Sequence, residues 1–131
     1  MPGDNSSTIG VGTAIEFPQG TPGIGITRLG GVSSTEFVLA NIGSYFVNFQ
    51  ASVDEPGQLM IRLDGVEIAD SVVGRALGTS QMVGISIITT SSPGSVIEII
   101  NPSGNSTALT MTPIAGGTHS VSAHLTILRL A

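Results

Sequence analysis

His119 and His124 are the only two histidines, and a histidine pair could serve as metal ligands or as a general base. They stand five residues apart in a predicted turn and strand, so alternation sends them to opposite faces. A zinc site needs three or four converging ligands, and no His-rich or carboxylate-rich cluster accompanies them. His124 therefore reads as an interface or packed strand residue, and His119 as an exposed turn residue. Asp54-Glu55 precedes Pro56-Gly57, with Asp64, Glu67 and Asp70 nearby, but this supplies only the start of a calcium loop. Solvated loop acids are the expected reading.

Nucleophilic chemistry finds no better footing. The serines include no Gly-x-Ser-x-Gly elbow, and a triad would have to borrow one of the two histidines. The spacing of paired glycosidase carboxylates across a fold is invisible in sequence. Such clefts are usually lined with aromatics, and this chain has no Trp and one Tyr. Gly10-Val11-Gly12 and Gly20-Thr21-Pro22-Gly23-Ile24-Gly25 are followed by no helix that could bind a phosphate, and they read as turns. Cysteine is absent, which removes disulfides, thiolate catalysis and Cys-based metal sites. No catalytic, cofactor or metal residue is assigned, and no enzyme is expected.

The elements that would position any site are strands. Turn signals recur at Pro22-Gly23, Gly30-Gly31, Pro56-Gly57, Asp64-Gly65, Pro93-Gly94, Pro102-Ser103-Gly104 and Gly116-Gly117, with β-branched and aromatic runs between them. No window shows helical periodicity, so the class is all-β: a sandwich or barrel of about ten short strands. Strands are predicted at 11–17, 25–29, 35–41, 81–90, 95–101, 108–111 and 121–130, together with a central aromatic strand and a hairpin. In that hairpin, Asp64-Gly65 supplies the positive φ values of a type I′ turn. Its register sets Leu63 opposite Val66 and Ile61 opposite Ile68 on the inner face, with Arg62 opposite Glu67 as an outer ion pair.

Phe37 and the run Gly43-Ser44-Tyr45-Phe46-Val47-Asn48-Phe49 hold four of the chain's five aromatics. With period two, Tyr45, Val47 and Phe49 share an apolar face that continues through Ala51 and Val53. The opposite face is polar except for Phe46, a large apolar group where a solvent-facing strand would carry a charge or Thr. That exception marks a partner surface. The last strand is apolar on both sides: Val121, Ala123, Leu125 and Ile127 on one, His124, Thr126, Leu128 and Leu130 on the other.

A chain of 131 residues makes one domain, expected at 11–131 behind a flexible segment 1–10. Charged residues are 10 % of the chain, and the net charge is −5 with four arginines and no lysine. Four scattered arginines build no phosphate-neutralising patch, so nucleic acid is excluded as a partner. No stretch approaches the ~18 consecutive apolar residues of a membrane helix, and no membrane insertion is expected. The first residues lack the basic and apolar regions of a secretion signal. A small monomer normally keeps a charge-rich surface, so the charge deficit favours burial of part of the surface in an oligomer. Asn5-Ser6-Ser7 and Asn105-Ser106-Thr107 match the glycosylation sequon, a pattern that polar turn-rich chains often produce by chance.

Phe37, five intervening residues, then Gly43-x-Tyr45-x-Val47-x-Phe49, resembles part of the signature of complement C1q globular heads, which share the TNF-like jelly roll. Val47 and Gly30 stand where animal C1q heads carry aromatics. The closer resemblance is to the C-terminal heads of bacterial collagen-like spore-surface (exosporium) glycoproteins of the BclA type. It rests on the low-charge Gly/Ser/Thr/Ile-rich composition, on Leu59 to Ile68 with its turn glycine, and on Ile88-Thr89-Thr90 ahead of Pro93 and Val96-Ile97-Glu98-Ile99-Ile100. The apolar strand ending at Ala131 completes it, and the similarity runs from about Val11 to the end.

The resemblance implies a ten-stranded antiparallel jelly-roll sandwich that forms a tight homotrimer, with a collagen-like Gly-X-Y stalk of the same chain upstream. Phe37, Tyr45, Val47, Phe49, Ile61, Leu63, Val66, Ile68, Leu125 and Ile127 are then expected in the sandwich core. Phe46, His124, Leu128 and Leu130 are expected at the trimer interface. The implied function is a structural trimerisation head at the distal tip of extracellular filaments on the spore surface. A binding module engaging host proteins or glycans, or the head of a phage or bacterial surface fibre, is the second reading.

Overall fold

The computed structural model describes residues 8–78, 81–112 and 115–131. The chain is all-β, in antiparallel pairs throughout. The strands are β1 (Thr8–Ile9), β2 (Ile26–Arg28), β3 (Phe37–Leu39), β4 (Gly43–Ala51), β5 (Gly57–Leu63) and β6 (Val66–Glu67). They continue with β7 (Val73–Arg75), β8 (Met82–Thr90), β9 (Ser95–Ile100), β10 (Leu109–Thr110) and β11 (Ala123–Arg129). One sheet has the order β11-β4-β8, and a larger one runs β2-β3-β9-β5-β6, with β7 also on β5. β1 and β10 pair with each other.

The two main sheets close over one core, in the manner of a β-sandwich. Tyr45, Val47, Phe49 and Ile88 come from the smaller sheet; Phe37, Leu39, Leu59, Ile61, Ile97 and Ile99 come from the larger. Strict alternation makes this possible, because each inward residue of β4 meets an inward residue of its neighbours: Phe49 pairs with Leu125 and Gly84, and Val47 with Ile127 and Ser86. Gly84 is required there, since a Cβ at that position would overlap the Phe49 ring. The Tyr45 hydroxyl meets its hydrogen-bonding need at the Asn41 carbonyl, 2.7 Å away.

Of the expected core, Phe37, Tyr45, Val47, Phe49 and Ile61 are buried, and Leu63, Ile68, Leu125 and Ile127 are half-buried against them. Val66 is a correction: it is 63 % exposed. Its register opposite Leu63 is as expected, and Asp64 and Gly65 both take positive φ. The hairpin tip, however, lies at the end of a sheet broader than the one facing it, so nothing covers Val66. The ion pair is corrected as well. Arg62 reaches across to Glu98 on β9 with two bonds of 2.8 and 2.9 Å, whereas Glu67 accepts the Ser103 N–H.

Several strand assignments change. Thr8–Ile9 pair with β10 and Ile9 is buried, so the fold reaches upstream of residue 11; the rest of the expected flexible segment, 1–7, lies outside the described residues. The strand predicted at 11–17 is reduced to a single bridge, Ala14 to Ile100, beside a bond from Ile15 N–H to the Ile99 carbonyl. β7 was not anticipated.

Two hydrogen-bonded carboxylates, Glu55 in a loop and Glu67 on β6, tie the fold to pH. Glu55 accepts the Thr110 hydroxyl at 2.5 Å and the Thr110 N–H at 2.7 Å, and these bonds hold its carboxyl below the usual carboxylate range. Hydrogen bonds from Ser103 do the same for Glu67. A carboxylate depressed in the fold contributes stability that is full above its unfolded pKa, about 4.5, and is lost as pH falls through the folded value. Urea midpoints are therefore expected to drop from about pH 5 downward, and Glu55→Gln to flatten part of that slope while lowering stability at pH 7. An unchanged acid slope in Glu55→Gln would contradict this.

Candidate assembly surface

The outward side of the β11-β4-β8 sheet follows from the same register. Four rows cross it: Leu130, Ser44 and Thr89; Leu128, Phe46 and Ile87; Thr126, Asn48 and Ile85; His124, Gln50 and Val83. Leu128, Ile87 and Ile85 are 57, 66 and 60 % exposed, and Val83 and Leu130 are about half exposed. Phe46 is half-buried between its two neighbours. An antiparallel sheet with one wet face ordinarily alternates apolar with charged or hydroxyl residues. Here three successive outward residues of β8, Val83, Ile85 and Ile87, are aliphatic.

This face carries no Asp, Glu, Lys or Arg among the residues that point outward. None of the described acids lies in β4, β8 or β11, and Arg129 belongs to the inward register line, where its guanidinium bonds the Ile42 carbonyl at 2.9 Å. The larger sheet is the opposite case. It carries the Arg62–Glu98 pair and Glu67, with Arg28 at its other edge.

The four residues expected at an interface, Phe46, His124, Leu128 and Leu130, thus come together on one face of one sheet. Sequence reasoning missed Val83, Ile85 and Ile87, which complete it. Their signal was present: Gln81 to Thr90 has apolar groups on both alternation faces, like the last strand. Leaving five such aliphatic side chains wet forgoes on the order of 1 kcal/mol each, at ~25 cal/mol per Å² of apolar area.

The residues considered for chemistry are dispersed. His119 is exposed in the loop before β11, and His124 stands on the strand. Asp54 accepts the Thr112 hydroxyl and Asp64 the Val96 N–H, so with Glu55 and Glu67 these acids serve as hydrogen-bond acceptors for loops. Among the described residues no group of three or more His, Asp or Glu could hold a metal. A cleft of about 280 Å³ opens between β11 and the loop before β2, lined by Phe17, Phe37, Ile26, Leu125 and Ile127. Its Arg28 lies 5.2 Å from the Phe37 ring and donates to the Ser33, Gln19 and Gly20 carbonyls, an arrangement that holds the loop. The second sequon residue, Asn105, donates to Asn101 Oδ1 at 3.5 Å; the first sequon lies outside the described residues.

No helix among the described residues is long and apolar enough to cross a membrane. No protein-family model matches the chain, and no curated protein sequence matches it.

Proposed function

We propose that the protein is a structural head that assembles as a homotrimer through the outward face of β11-β4-β8. The observation that carries this reading is a sheet face with six large apolar side chains and no Asp, Glu, Lys or Arg, on a molecule of net charge −5 whose described acids all lie off β4, β8 and β11. Like-charged copies repel, and they approach at least cost where neither carries a charge. A charge-free face meets the low-charge surface of another copy without repulsion, whereas a charged partner would find no counter-charge on it. The second copy is therefore the occupant. Three copies rather than two, the jelly-roll path of the strands, the upstream collagen-like stalk and the extracellular setting at a spore surface come from the resemblance to exosporium heads described above.

A trimeric head would hold three stalks in register and lower the entropic cost of starting a triple helix. The test is a fusion of the chain behind a short Gly-Pro-Pro repeat too short to fold alone. Triple-helix circular dichroism with a cooperative melt is expected in the fusion, and its loss in Ile87→Asp. Repeats that stay unfolded behind the wild-type head would overturn the proposal. Binding of host proteins or glycans, the second reading, has no geometric feature in its favour among the described residues.

A further inference from the structure

We infer that His124 makes the assembly pH-sensitive, so that trimers loosen as pH falls from neutral toward 5.5. This rests on the self-association reading above and concerns the regulation of that same face. His124 is exposed on β11, directly opposite Gln50 of β4, with Val83 of β8 in the same row. It is the one titratable side chain among the outward residues of these three strands. Everything else in those rows is aliphatic, amide, hydroxyl or Phe46, so this face itself offers the imidazole no counter-charge once another copy covers it. Burial without a counter-ion disfavours the charged form of a histidine.

The other ionisable groups nearby are few. On β11, Arg129 sits at the far end and is bonded to the Ile42 carbonyl. Along β4, Asp54 lies four residues past Gln50, about 13 Å at ~3.3 Å per residue, and accepts the Thr112 hydroxyl. β8 offers no ionisable group on either face. His119 is exposed in the preceding loop, off the sheet. An imidazole that must stay neutral when covered is expected to weaken association about tenfold per subunit between pH 7.5 and 5.5, and about 1000-fold for three. That window lies above the carboxylate range, which separates it from the acid response of Glu55 and Glu67.

Sedimentation equilibrium of the full chain at pH 7.5 and pH 5.5 is the experiment, with His124→Gln and His119→Gln beside the wild type. The expected result is a trimer at pH 7.5 that dissociates at concentrations about tenfold or more higher at pH 5.5. His124→Gln should abolish that response and His119→Gln should leave it intact. A trimer of unchanged or greater strength at pH 5.5, or a response that survives in His124→Gln, overturns the inference while leaving the assembly reading standing. A wild-type monomer at both pH values overturns both. The wild-type comparison needs no substitution, so a poorly folding variant does not blunt the test.

Discussion

Phe49→Ala is expected to cost the subunit ~3–5 kcal/mol, the range for removing a fully buried aromatic and leaving a partly collapsed cavity. Phe49 has no exposed surface, and its ring covers Gly84 on β8. That contact makes a sharper expectation possible. Gly84→Ala alone should lose ~1–3 kcal/mol, because its new Cβ drives into the ring and the ring has no space to retreat. In the Phe49→Ala background the same change fills empty volume and removes a flexible glycine from a strand, so its effect should shrink or change sign. Urea denaturation of the four proteins measures the coupling. Additive losses would show that the ring does not lie over Gly84, and with it that the β4-β8 register is wrong.

Ile87→Asp is expected to abolish assembly while changing subunit stability by no more than about 1 kcal/mol, the size of strand-propensity effects at exposed positions. Ile87 is 66 % exposed in the subunit, so its own fold loses little. In the assembly an aspartate there would be an unpaired charge taken out of water, which costs several kcal/mol at each copy. Phe46→Ser should act in the same direction with a larger share falling on the subunit, since Phe46 is half-buried between Leu128 and Ile87. Equal losses of subunit and trimer stability in Ile87→Asp would mean that the face is not where copies meet.

These two residues, Phe49 and Phe46, also show what alternation alone can reveal. A strand with period two divides its side chains between a core and an outside, and β4 and β11 divide as their residues require. The Asp64-Gly65 hairpin was equally legible, because a two-residue turn with positive φ sets its own register. What escaped was everything decided between strands distant in sequence. Arg62 had Glu67 as its visible hairpin neighbour, yet β9 runs along the other side of β5 and brings Glu98 within two hydrogen bonds. Val66 looked like core because its cross-strand partner Leu63 is apolar, but core membership depends on how far the opposing sheet extends. The proposed association face was half legible, through Phe46 and the last strand. Its other half, on β8, needed the pairing of Phe46 with Ile87 before the rows could be seen.

The most direct test of the account is the mass of the protein in solution, by light scattering at micromolar concentration near pH 7.5, for the wild type and Ile87→Asp together. The expected result is three times the chain mass for the wild type and a single folded chain for Ile87→Asp. A wild-type protein that stays monomeric, or an Ile87→Asp variant that remains trimeric, would contradict assembly through the β11-β4-β8 face.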